Sequence, residues 1–277
     1  MSKIKAKLFY LTNKVENRFF KKRFYKFEFD KTFNIKYFLD GFDIPINSHI
    51  FIHAGLKNIK QLSGLEYKSI VDNIIKFLKE IYQPNAIIAP TFTPSFRKSG
   101  VYSKLYSKAE YGIFSELFRQ VADYRSDDAI HSVGIVSDDI EKFKNLNYHD
   151  TFASDGFFGS FHKKTYILNI NTEHFVSTYM HYVEELMNVP YKDKNRAIYK
   201  GVMYDENNEI IRIEQTNHFY KYSSSINRKK INNLLLDNNL IKYKFYKGIS
   251  ISCINVFELI EVLKKEIEKN PYYMVVF

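Results

Sequence analysis

The stretch HIFIHAGLKNIKQLSGLEYKSIVDNIIKFLKEIYQPNAIIAPTFT, residues 49–93, changes its hydrophobic period twice. It opens on HIFIHAGL (His49–Leu56), short and rich in β-branched and aromatic residues, which reads as a strand. It passes to YKSIVDNIIKFLKEIY (67–82), where Ile70, Ile74, Phe77, Leu78 and Ile81 fall on one helical face. It closes on NAIIAPTFT (85–93), a second buried run stopped at Pro90. Strand, helix and strand in this order predict a βαβ unit with a parallel pair, because a helical crossover is how a chain returns to lay down a parallel neighbour.

Downstream, YGIFSELFRQV (111–121) is predicted helical, and HSVGIVS (131–137) and TYILNI (165–170) read as strands. AIYKGVMYD (197–205) and EIIRIEQT (209–216) form a predicted hairpin whose turn is Asn207-Asn208-Glu209. RKKINNLLLDNN (228–239) and NVFELIEVLKKEIEKN (255–270) are helices separated by the strand-like IKYKFYKGISISCI (241–254). With no internal repeat and no Gly/Ser linker, residues 32–277 read as a single α/β domain, a central mixed sheet flanked by helices. Residues 1–31 form a basic, aromatic extension in which helical spacing of Phe19, Arg23 and Phe27 competes with strand-like alternation from Tyr25 to Phe29. It reads either as a packed arm with a solvated basic face or as an arm for a membrane surface or polyanion.

Hydrophobic residues are 45% of the 277, enough for a real core, and no window approaches the roughly 20 apolar residues of a membrane-spanning helix. The basic N-terminus runs into further basic residues rather than an apolar signal core, and Cys253 is the single cysteine, so the expectation is a cytoplasmic protein without internal disulfides or a thiolate metal cluster. Cys253 lies in the apolar run Ile249–Val256 and reads as a small core residue. Lys+Arg 41 against Asp+Glu 31 gives +10, which favours anionic partners. The lysines are spread along the chain rather than gathered with aromatics on one element, which argues against a nucleic-acid-binding module.

Several segments share an order and spacing with one enzyme family. FIHAGL (51–56) resembles the opening strand of the aminoglycoside 3-N-acetyltransferase family, which usually reads His-Ser-Ser-Leu there. YGIFSELFRQVADYRSDDAIHSV (111–133) resembles its long signature at Gly112, Glu116, Phe118, Arg119, Arg125, Ser126, His131, Ser132 and Val133, with Asp128-Ala129 in place of the usual His-Pro. ILNINTEHFVSTYMHYVEELMNVPYKDK (167–194) is similar to the segment carrying Thr-x-x-His-x-x-Glu, matched by Thr178, His181 and Glu184, with Pro190 following. The C-terminal strand and helix are similar too, so the resemblance runs from about Thr32 onward. It implies an antibiotic N-acetyltransferase-like fold rather than the GNAT fold, acetyl-CoA as co-substrate, an amine on a sugar-like acceptor, and no metal.

Acetyl transfer to an amine needs a base, because an alkylammonium has no lone pair; an imidazole suits that task, and a neighbouring carboxylate fixes its tautomer. The resemblance places His181 as that base. If its segment is helical, Glu184 stands at i+3 and Glu185 at i+4, with Glu184 the expected partner; spacing alone would equally describe an ordinary half-buried histidine beside a surface glutamate. His53, Ala54, Gly55 and Leu56 occupy the family's coenzyme loop without its two serines, so main-chain amides would have to meet the coenzyme, and Gly55 would permit close approach. Ser132 and Val133 are placed on the coenzyme side, and Asp128 and His131 on the acceptor side. TFASDGFFGSFHKK (151–164) lies where the family has a turn near the coenzyme, so Lys163 and Lys164 either meet its nucleotide end or cap a solvated turn. Arg119 and Arg125 read as phosphate ligands or as structural residues. No Gly-x-Ser-x-Gly elbow is present, so direct transfer is expected. The net charge favours an anionic, nucleotide-linked amino sugar destined for a surface glycan as acceptor; the alternative is an aminoglycoside antibiotic.

Overall fold

Ile50, Phe51 and Ile52 are each 0% exposed, as a strand covered on both faces requires. They lie in strand β1 (His49–Ala54) at the centre of a computed structural model that describes residues 29–172, 174–193, 197–217 and 219–277. The extension up to residue 28 is outside the described residues. The other strands are β2 (Ala86–Pro90), β3 (Val101–Ser103), β4 (Tyr124–Arg125), β5 (Val133–Val136), β6 (Thr165–Ile170), β7 (Ala197–Tyr204), β8 (Ile210–Asn217), β9 (Ser225–Ile226), β10 (Ile241–Tyr246), β11 (Ile249–Asn255) and β12 (Val275–Val276). The main sheet has seven strands in the order β10-β11-β6-β1-β2-β5-β4. β1 runs parallel to β2 and to β6, pairing His49–Ala54 with Thr165–Ile170, while β11 and β5 add antiparallel neighbours on either side. The sheet is therefore mixed, with the expected βαβ unit at its heart.

The side-chain alternation of β1 divides the core in two. Ile50 and Ile52 join a cluster with Ile70, Val71, Ile74 and Leu78 of the Tyr67–Tyr82 helix and Phe114 and Phe118 of the Ile113–Val121 helix. Phe51 points to the opposite face, into a cluster with Phe157, Phe158, Tyr179 and Val183 and with Leu259, Ile260 and Leu263 of the Val256–Lys269 helix. Phe77 and Ile81, expected in the core, are only half-buried at its edge, where the ammonium of Lys76 lies over the Phe77 ring. Cys253 is buried, and burial pushes its thiol up to about 12.

IKYKFYKGISISCI is two strands, not one: Lys247 and Gly248 take positive φ (39° and 83°), and β10 folds back on β11, the backbone hand that matches a tight hairpin to strand twist. The predicted β7–β8 hairpin is present, with Asp205 Oδ1 accepting the N–H groups of Asn207 and Glu209 (both 2.8 Å) across its turn. Residues 151–164 are not a solvated turn. Phe157–Phe161 is helical and sets Phe157 and Phe158 in the core, because the aromatic side chains gain more from burial than the glycines lose in the helix. Lys163 and Lys164 stand exposed just before β6, at the opposite end of that strand from Asn169, the residue that pairs with His53. Among the described residues no helix is long and apolar enough to cross a membrane.

Candidate active site

The carboxyl ends of β1 and β6 lie side by side, the edge where ligands of open α/β sheets collect. Gly55 N–H donates to Ile170 O (2.9 Å) and Asn171 Nδ2 donates to Gly55 O (2.8 Å). Both main-chain groups of Gly55 are thus engaged by the last residue of β6 and the one after it, and a Cβ there would stand 2.8 Å from Asn171 O. The close approach that this glycine permits is between two chain segments. Gly55→Ala is expected to lower stability by about 1–3 kcal/mol, read as a fall in urea midpoint at unchanged slope; wild-type stability would show that the Asn171 loop yields freely. Leu56 is a core residue packed with Ile59 and Leu62. His53 and Ala54 are half-buried. His53 Nε2 is buried with no hydrogen-bond partner among the described residues. Burial, with the charge of Arg228 adding to it, pushes this imidazole down to about 4, so it is neutral.

The signature around 112–133 is chiefly architectural. Arg119 grips Glu116 through two hydrogen bonds (2.7 and 2.9 Å), and Glu116 also accepts from Ala109 N–H (2.8 Å). Arg125 is buried and donates to Thr91 O and Thr93 Oγ1 (both 2.7 Å) and to Ser107 O (2.5 Å). The Ser132 hydroxyl donates to Thr91 O (2.6 Å) and accepts from Arg125 Nε (3.2 Å), and the Val133 side chain is in the core. Asp128 Oδ1 accepts the N–H groups of Ile130 (2.9 Å) and His131 (2.6 Å), and Oδ2 accepts the Thr151 hydroxyl (2.5 Å). Its carboxyl is pushed up to about 6 by burial, against these hydrogen bonds. Ala129 N–H donates to Gln215 Oε1 (3.1 Å), a bond that proline, lacking the N–H, would forfeit. The Asp128-Ala129 substitution is therefore matched by a local device: an aspartate that holds the turn and an alanine whose amide is used. Asp128 reaches His131 through Thr151, whose Oγ1 is 3.2 Å from His131 Nδ1.

His181 stands on the Tyr179–Leu186 helix. Asn169 at the end of β6 brackets Val176, donating from Nδ2 to its carbonyl and accepting its N–H (both 3.0 Å), which folds the connecting loop back over the sheet. Tyr179 then packs edge-on against Phe51 and Phe158 (centroids 6.0 and 5.0 Å) and fixes the helix rotation. One helical turn brings His181 Nδ1 to 2.8 Å from Glu184 Oε2. Glu184 is fully buried, with Lys192 Nζ 2.9 Å from Oε2 and the Tyr220 hydroxyl donating to Oε1 (3.1 Å). Burial pushes the Glu184 carboxyl up, but the hydrogen bond and charge of His181 and the charge of Lys192 outweigh it and hold the group at about 2. A carboxylate on Nδ1 selects the tautomer whose lone pair is on Nε2, and the His181 side chain, 37% exposed, is open to a reactant. The Phe152 ring packs against both imidazoles, 6.0 Å from His181 and 5.7 Å from His131.

The structure thus brings His131 and His181, the latter paired with Glu184, to one aromatic ring, while Leu56, Ser132 and Val133 are built into the core. Lys192, Tyr220, Thr151 and Phe152 belong to the site and were not singled out from the sequence. Lys192 and Tyr220 arrive together as a β-bridge, with Lys221 N–H donating to Tyr191 O (2.9 Å) and Asp193 N–H to Phe219 O (2.8 Å). Among the described residues no group of three or more His, Cys, Asp or Glu side chains is arranged to hold a metal ion.

The family model for aminoglycoside 3-N-acetyltransferase matches residues 51–268. No curated protein matches the chain in sequence. Among solved structures, the apoenzyme of aminoglycoside acetyltransferase AAC(3)-IVa superposes with a TM-score of 0.67 at 12% identity, over 91% of this chain and 93% of that one. The binary complex of AAC-IIIb with CoASH gives 0.67 at 14% identity, over 84% and 94%. A mutant of AAC(3)-IVa in complex with a gentamicin gives 0.63 at 12% identity, over 84% and 86%. At such identities the likeness is one of fold.

Proposed function

The chain belongs to the aminoglycoside 3-N-acetyltransferase family, and from that premise we propose that it moves an acetyl group from acetyl-CoA to an amino group of an aminoglycoside-type acceptor. The observation that carries the chemistry is the buried Glu184 carboxylate 2.8 Å from Nδ1 of a half-exposed His181. His181 Nε2 takes a proton from the acceptor amine as its nitrogen attacks the thioester carbonyl carbon. A C–N bond forms, the C–S bond breaks, and the proton held on His181 balances the departing thiolate. Glu184 stabilises the imidazolium in between and keeps Nδ1 protonated throughout.

The donor side is read at the carboxyl end of β1. His53 presents a neutral imidazole whose Nε2 has no partner among the described residues, and the small Ala54 follows it. These groups fit the polar, uncharged pantetheine arm better than a phosphate. The relative solved with CoASH supports the choice of coenzyme. Use of acetyl-CoA goes with a cytoplasmic location.

The nucleotide-linked amino sugar that net charge favours finds no support. The +10 is an excess summed over the whole chain, to which pairs such as Lys36–Glu80 and Lys68–Asp72 add nothing, so it does not describe the field at His181. Family membership and the relative solved with a gentamicin both favour the aminoglycoside. The deciding experiment follows thiol release from acetyl-CoA with aminoglycosides and, side by side, with UDP-, GDP- and dTDP-linked amino sugars. Turnover with gentamicin- or kanamycin-type compounds is expected. Turnover confined to nucleotide sugars would overturn the acceptor, and failure to bind acetyl-CoA would overturn the donor.

A further inference from the structure

Lys192 is 7% exposed, and a buried ammonium persists only where an anion and polarisable groups replace its water. Its Nζ lies 2.9 Å from Glu184 Oε2, the oxygen that His181 Nδ1 meets at 2.8 Å. It also sits over the rings of Phe152 (5.5 Å) and Tyr220 (5.8 Å). Two cations, one permanent and one conditional, therefore compete for a single carboxylate oxygen.

The groups that face this oxygen come from each neighbouring element. The helix supplies His181 and Glu184, with Glu185 next along the chain; the segment after it supplies Tyr191 and Lys192; the 219–221 segment supplies Tyr220, whose hydroxyl donates to Glu184. The phenols of Tyr191 and Tyr220 are both held up, by burial first and the Glu184 charge second, so they stay neutral. Lys192 is thus the one permanent cation among these groups. A carboxylate paired with an imidazole alone draws it toward imidazolium, which has no lone pair to accept a proton. A second cation on the same oxygen offsets that pull.

We propose that Lys192 is a positioning residue for the transfer: it anchors Glu184 and balances its charge, so that the His181 imidazole keeps its Nε2 lone pair at a lower pH than a bare histidine–glutamate pair would allow. This rests on the reading of His181 as the base, and the test separates the two. Full-length protein with ¹³C-labelled histidine is titrated by NMR, the His181 signal being identified by its loss in His181→Ala, and pH–rate profiles are recorded in parallel. Lys192→Met is expected to raise the His181 titration midpoint by about one pH unit and to carry the ascending limb of kcat/KM with it, roughly a tenfold rate loss below the limb. Glu184→Gln should lower the midpoint, and the double variant should return it near the wild-type value.

The double variant removes both charges together and leaves no lone buried ion. If Lys192→Met does not fold, a midpoint about one unit higher in the double variant than in Glu184→Gln carries the same information. A midpoint that does not respond to loss of Lys192 in either background overturns the proposal. A midpoint that moves while the rate limb stays still upholds the charge balance and overturns His181 as the base.

Discussion

His181→Ala is expected to slow acetyl transfer by roughly 10²–10⁴-fold at saturating acetyl-CoA, while acetyl-CoA affinity and the unfolding midpoint stay close to wild type. The rate is expected to fall because the carboxylate beside His181, Glu184, is fully buried and cannot reach the amine in its place. The fold survives because Glu184 keeps Lys192 at 2.9 Å and the Tyr220 hydroxyl at 3.1 Å, so the substitution strands no buried carboxylate. Thiol-release kinetics and calorimetric titration with acetyl-CoA read the two halves of the expectation. An unchanged rate would remove His181 from the chemistry; lost coenzyme affinity would make it a binding residue.

Arg125→Ala should act in the opposite sense, with about 3–5 kcal/mol of stability lost whether or not substrate is present. Arg125 is 5% exposed. It donates to Thr91 O, Thr93 Oγ1 and Ser107 O at 2.5–2.7 Å, and it lies over the Tyr102 ring at 4.9 Å. Each buried acceptor left without a donor is destabilising by about 1–3 kcal/mol. The vacated volume also separates the strand end at Thr91 from the loop at Ser107. Urea denaturation of wild type and variant checks this. A loss below about 1 kcal/mol would mean that water enters and replaces the donors, and that Arg125 is free for another role.

The elements that were legible in the sequence are those whose geometry is periodic. β1 and the Tyr67–Tyr82 helix announce themselves through spacings of two and of three to four residues. The His181–Glu184 contact was legible for the same reason, since i and i+3 share a helix face. The rest of the site is assembled across the chain: Thr151 lies 23 residues from Asp128, and Tyr220 lies 36 from Glu184. No local pattern records such pairings. Ser132 and Asp128 were found as positions, but a strand edge does not say which side chains turn inward, and both turn inward. The 151–164 segment misleads through its glycines. Gly156 and Gly159 look like turn residues, yet a Cβ on Gly159 would stand 2.2 Å from Ser154 O, so glycine is needed there for backbone contact inside a helical turn.

The chain's single thiol bears on how its chemistry can be watched. Disulfide reagents react with thiolates, and Cys253 is buried in β11 with its thiol pushed up to about 12. A chromogenic disulfide added to the native enzyme should therefore register only coenzyme sulfur, with no slow background from protein. A cysteine introduced on an exposed strand could likewise carry a fluorophore without deletion of the native one.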